Sequence, residues 1–136
     1  MEIKGYNFNY LDLAMKNLGE AFDYAKNSYK IDMDSFMDMF ITSGYAKLFQ
    51  DGNTKVIEGI SGCELVLNIF EKIGLEEEII MPSNSFYQSC EYWCGWILAY
   101  FQWKTSLPFK FIHQNISMKE IESLYPTLHE ASEDKF

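Results

Sequence analysis

Arginine is absent from the 136 residues, and eleven lysines face twenty acids for a formal net charge of −9. Without arginine the chain has no bidentate fork for phosphate or guanine and no arginine finger. The charge balance excludes a broad basic face for displacing counterions, so direct duplex nucleic-acid binding is not expected. An AT-rich coding genome that writes lysine explains the missing arginine more simply than selection does. Cysteine is scarce and odd in number: Cys63, Cys90 and Cys94 cannot all pair within one chain. That count points to a reducing cytoplasm. Residues 1–15 hold no basic segment followed by an apolar run, so secretion is not expected either. Long apolar runs are also missing. The longest uncharged aromatic-rich stretch, Tyr92 to Trp103, is twelve residues, or about 18 Å of helix against a bilayer core of ~30 Å. It reads as a buried helix, and no membrane partner is expected. Gly-x-Ser-x-Gly, Gly-x-Gly-x-x-Gly and Gly-Lys-Ser/Thr loops are absent, so no catalytic residue and no cofactor is assigned.

What is present is helical. Apolar residues make up 48% of the chain and charged residues 23%, a balance that builds a core without disulfide or metal staples. Leu11, Ala14, Met15, Leu18, Ala21, Phe22, Ala25 and Tyr29 recur at three-and-four spacing, predicting a first amphipathic helix over 10–29. Met33 to Phe49 predicts a second, capped by Asp32 or Asp34 and ended by Asp51-Gly52. Residues 53–60 break the period and suit a short extended segment near Lys55 to Ile57 or a structured loop. Ser61 with Glu64, Ser117 with Glu120, and Thr127 with Glu130 repeat capping-box spacing. The last two pairs open short helices separated by Pro126. Glu76 to Glu78 and Pro82 to Ser85 form a polar connector, with Ile79, Ile80 and Met81 tucked inward. The expected fold is all-α: one compact domain, residues 1–136, of about six helices around a central Trp/Tyr-rich helix.

That helix, Ser89 to Trp103, carries every tryptophan. Gly95 in its middle costs about 1 kcal/mol of propensity, which close approach of another helix explains. Cys90 and Cys94 one turn apart, with His113 and His129 downstream, are zinc-type ligands, but their spacing matches no finger, so no metal is assigned. Cys63 at a helix start is the best-placed thiol nucleophile, although Glu64 beside it works against a thiolate. Trp103 to Lys119 holds three lysines, His113 and no acid. Pro108 there opens a short helix, in a layout loosely like a helix-turn-helix and more simply two packing helices.

Ser43-Gly44-Tyr45-Ala46-Lys47, Gly59-Ile60-Ser61-Gly62-Cys63-Glu64-Leu65, the run from Glu91 to Trp103 and Leu124-Tyr125-Pro126-Thr127-Leu128-His129-Glu130-Ala131 resemble a family of small uncharacterised bacterial proteins. The family occurs in low-GC bacteria and their mobile elements. The resemblance spans roughly residues 35–136 and implies an association with operons that carry ADP-ribosyltransferase-like toxins. It implies no activity. Thr105-Ser106 departs from a Thr-Gly turn in those relatives. Three functions follow as expectations. The first is a non-enzymatic binding module, antitoxin-like or regulatory, engaging a basic protein. The second is an inhibitor of a host nuclease. The third is a small enzyme using Tyr125, His129 and Glu130. The expected partner-binding surface is Trp96, Tyr100, Trp103, Lys104, His129 and Glu130, with a homodimer as the rival occupant. Trp96, Tyr100 and Trp103 share one helix face. Trp93, Ile97 and Phe101 are expected inside, and Trp103 beside His129 and Glu130.

Overall fold

The computed structural model describes residues 8–82 and 89–133. The connector residues Ser83 to Ser85 lie outside these, as do Phe86 and Tyr87. Every regular element among the described residues is helical. In order they are α1 (Leu11–Asp23), α2 (Met33–Thr42), α3 (Tyr45–Gln50), α4 (Thr54–Ile57), α5 (Gly62–Ile73), α6 (Cys90–Thr105), α7 (Phe109–Asn115), α8 (Met118–Ser123) and α9 (Tyr125–Leu128). A 3-10 turn, Phe8–Tyr10, leads into α1, and a π-helical turn, Tyr24–Ser28, follows it.

Among the described residues nine α-helices stand where about six were expected, and the extra ones have local causes. The apolar stripe from Met33 to Phe49 is interrupted at Gly44, which adopts φ +89°, a left-handed conformation that favours glycine. Ser43 fixes the break: its hydroxyl donates to the Phe40 carbonyl at 2.9 Å and accepts the Tyr45 N–H at 3.2 Å. Residues 54–57 form a helical turn capped by Asn53 rather than an extended segment. Thr127 is not a cap. It sits inside α9, which Leu124 begins without a side-chain bond and whose first turn contains Pro126. Proline is tolerated there because a first-turn N–H has no intrahelical acceptor, so Pro126 joins the helix instead of separating two.

The remaining caps follow their local pattern. Ser61 and Glu64 form a reciprocal capping box, as do Ser117 and Glu120. Asp32, not Asp34, caps α2, and Gly74 ends α5 at φ +79°. Ile79 and Met81 do not tuck inward: they are 78% and 82% exposed. The connector is held by its backbone instead. Tyr29 Oη donates to the Glu78 carbonyl at 2.5 Å and accepts the Ile80 N–H at 3.2 Å, while Tyr24 Oη donates to the Ile80 carbonyl.

Helix α6 lies along α1 at a separation that only glycine permits. A Cβ on Gly95 would stand 2.3 Å from the Leu18 carbonyl oxygen, and one on Gly62 would stand 2.2 Å from that of Asn17. α1 is thus gripped by α6 and by the start of α5. Phe22 meets Phe36 edge-on at 5.1 Å, and Phe40 packs against Phe49 and Phe109 at 6.0 and 5.1 Å. Such ring pairs add about 0.5–1.5 kcal/mol each beyond area burial. Two buried polar side chains of α1 are paired across the fold: Asn17 donates to the Ile57 carbonyl at 2.6 Å, and Glu20 accepts the Gly62 N–H at 3.2 Å. No helix among the described residues is long and apolar enough to cross a membrane.

Candidate functional site

Ser89 starts α6 by accepting the Tyr92 N–H at 2.9 Å. That cap places Tyr92, Trp93 and Trp96 on the first two turns. α9 brings Tyr125 against them, with its ring edge-on to Trp93 at 5.7 Å. His129 stacks on Tyr125 with ring centroids 4.3 Å apart. Ser89, Tyr92, Trp93, Trp96, Tyr125 and His129 together line a cleft of about 210 Å³.

His129 Nδ1 lies 2.6 Å from the Tyr125 carbonyl oxygen. A carbonyl only accepts, so Nδ1 carries the proton and the neutral ring keeps Nε2 as its acceptor. Nε2 is 3.9 Å from Glu130, whose side chain is 90% exposed. Burial pushes the Tyr125 phenol above its ordinary range, helped by the nearby Glu91 and Glu130 carboxylates. At neutral pH it is a hydrogen-bond donor.

The expected partner face is divided between the two ends of α6. Trp96 and His129 share the cleft. Further along, Trp103 packs on Tyr100 at 6.2 Å and on Phe8 at 5.8 Å, and Lys104 Nζ sits 5.8 Å over the Tyr100 ring. Seven residues separate Trp96 from Trp103, about 10 Å along the helix axis. Trp103 is half-buried, with its ring against Tyr100 and Phe8. Trp93 and Ile97 are buried, and so is Tyr100; Phe101 is only half-buried. Ser89, Tyr92, Trp93 and Tyr125 line the cleft beyond the expected partner-binding residues.

The thiols are quiescent. Burial, then Glu20, Asp23 and Glu64, push Cys63 up to about 12. The helix N-terminus is outweighed, and two of the three opposing carboxylates come from α1. Burial pushes Cys90 to about 11, and Cys94 higher still. A thiol held protonated is a poor nucleophile. His113 is held by carboxylates of α2. His113 Nε2 is 3.0 Å from Asp38 and Nδ1 is 3.8 Å from Asp34, which ties α7 to α2. The Phe109 N–H bonds Gln50 Oε1 at 2.8 Å, so the Lys104–Lys119 segment is built of packing helices. No family model, curated protein or solved structure matches the chain.

Proposed function

We propose that the chain is a non-enzymatic protein-binding module, antitoxin-like or regulatory, of a toxin–antitoxin or phage-defence operon. The supporting observation is the cleft of about 210 Å³ walled by Tyr92, Trp93, Trp96, Tyr125 and His129 in a chain of net charge −9. Aromatic side chains in a part-desolvated recess supply most of the energy at protein interfaces. An acidic surface accelerates encounter with a basic partner and rejects acidic ones. An inhibitor of a host nuclease is the same reading with another partner, because nucleases present the basic faces that bind nucleic acid. A small enzyme would use His129 Nε2 as base with Tyr125 and Glu130. The His129–Tyr125 stack favours it, whereas Glu130 stands in solvent.

The experiment substitutes Trp96→Ala, Trp103→Ala and His129→Ala separately and confirms folding by circular dichroism. Capture of a basic protein from the native cell is then measured beside sedimentation of the chain alone. Trp96→Ala and His129→Ala are expected to weaken capture by at least about tenfold, the loss of one interface anchor. Variants that fold and match the parent in both assays would remove this surface from consideration. A change in self-association alone would assign the face to a homodimer.

A further inference from the structure

Cys90 and Glu91 begin α6, and Glu122 lies in the last turn of α8. A ligating atom from each of the three lies within 4.8 Å of the others. Two helices distant in sequence therefore aim one sulfur and two carboxylates at a single half-buried point. The groups behind them are ordered. Asn27 Nδ2 donates to Glu91 Oε1 at 2.9 Å and to Asp23 Oδ1 at 2.8 Å, which fixes the Glu91 carboxylate while leaving lone pairs for a ligand. Outer partners of this kind hold metal ligands in register. Among the described residues no lysine forms an ion pair with Glu91 or Glu122.

We propose that Cys90, Glu91 and Glu122 form a binding site for a divalent, borderline-soft cation, of which zinc fits best. One thiolate with two carboxylates suits zinc, which accepts sulfur and oxygen in a tetrahedron. Calcium and magnesium take oxygen alone. Zinc bonds of about 2.0–2.3 Å set tetrahedral ligand atoms roughly 3.3–3.8 Å apart, a spacing that atoms within 4.8 Å of one another reach with no more than glutamate side-chain rotation. The Cys90 proton leaves to solvent as the sulfur–metal bond forms, and the fourth position is left to water. The site takes Cys90 from the Cys-x3-Cys pair but replaces both histidines with carboxylates.

The test uses the full chain, reduced and stripped with chelator, titrated with cobalt(II) and then with competing zinc. One equivalent of cobalt is expected to give a sulfur-to-cobalt charge-transfer band, which zinc abolishes. Cys90→Ser removes the band, Glu122→Gln weakens binding at least tenfold, and Asn27→Ala weakens it by about 10–100-fold through the outer shell. Cys63→Ser leaves the titration unchanged. Absence of the band at one equivalent overturns the site, as does its survival in Cys90→Ser or its loss in Cys63→Ser. Circular dichroism checks each fold; if Cys90→Ser does not fold, Glu122→Gln decides, and unchanged cobalt affinity there overturns the proposal.

Discussion

Asp34 Oδ1 accepts the backbone N–H of Met118 at 2.7 Å, 84 residues away, and Oδ2 takes that of Lys119 at 3.3 Å. An aspartate in the first turn of α2 thus shares with Ser117 the work of capping α8. Asp34→Ala leaves the Met118 N–H without this acceptor and is expected to cost about 1–2 kcal/mol in urea unfolding. Asp38, 72% exposed at its side chain, bonds only His113 among these groups. Asp38→Ala is expected to cost less than about 0.5 kcal/mol. Equal losses would mean that the long-range cap contributes nothing.

Gly95 and Gly44 separate two reasons for glycine. At Gly95 the obstacle is the neighbouring helix, with Leu18 O at 2.3 Å and Phe22 Cδ2 at 2.9 Å from an added Cβ. Gly95→Ala must push α6 off α1, at a cost of about 3 kcal/mol or more at the upper end of overpacking. At Gly44 nothing lies within 4 Å, and only φ +89° resists. Gly44→Ala is expected to cost about 1–2 kcal/mol. Thermal unfolding of the two variants checks the order, and Gly95→Ala must be the less stable.

The capping serines and Thr127 give a sharper contrast. Ser61→Ala and Ser117→Ala each break a reciprocal box and are expected to lose about 1 kcal/mol. Thr127 lies inside α9 and makes no cap, so Thr127→Ala should fall within about 0.5 kcal/mol of the parent. A loss at Thr127 as large as at Ser61 would refute the assignment of α9.

These differences mark where sequence reasoning works. A capping box is local, four residues that satisfy each other, so Ser61 and Ser117 were legible. Thr127 carries the same spacing, but α9 has already begun at Tyr125, and the pattern does not state where a helix starts. Apolar period reports burial, not continuity. It runs unbroken across Ser43-Gly44, where the backbone turns over. The shared face of Trp96, Tyr100 and Trp103 follows from 3.6 residues per turn. That His129 docks against the first half of α6 depends on the path of α7 to α9 back across the domain. No local signal encodes that path, and none links Glu122 to Cys90 and Glu91.

Lys30 adopts φ +59° between the π-helical turn and α2. Its side chain is solvated, with Nζ donating to the Asn27 carbonyl at 2.8 Å. A left-handed residue with a Cβ costs about 1–2 kcal/mol, partly offset in glycine by unfolded-state entropy. Lys30→Gly is therefore expected to raise stability by about 0.5–1 kcal/mol in urea unfolding, and a loss would mean that the Nζ bond outweighs backbone strain.

Cysteine chemistry supplies a prediction with a pH sign. The Cys63 thiol rises from 9.0 to about 12 and that of Cys90 to about 11, each by burial first. At about pH 8 these rises leave roughly a thousandfold and a hundredfold less thiolate than in an ordinary cysteine. Iodoacetamide labelling read by mass spectrometry should modify Cys90 before Cys63. Cys94, fully buried, should follow last. The same shift acts on stability. Between about pH 9 and about pH 12 the unfolded Cys63 has lost its proton while the folded one keeps it, so the folded state binds more protons and stability falls with rising pH. The contribution is complete below the unfolded value and is lost as pH rises through the folded one. Urea midpoints followed from about pH 8 to about pH 11 should therefore decline less steeply in Cys63→Ala than in the parent. Identical slopes, or Cys63 labelling at the rate of a free thiol, would show that burial and the Glu20, Asp23 and Glu64 carboxylates do not hold that thiol protonated.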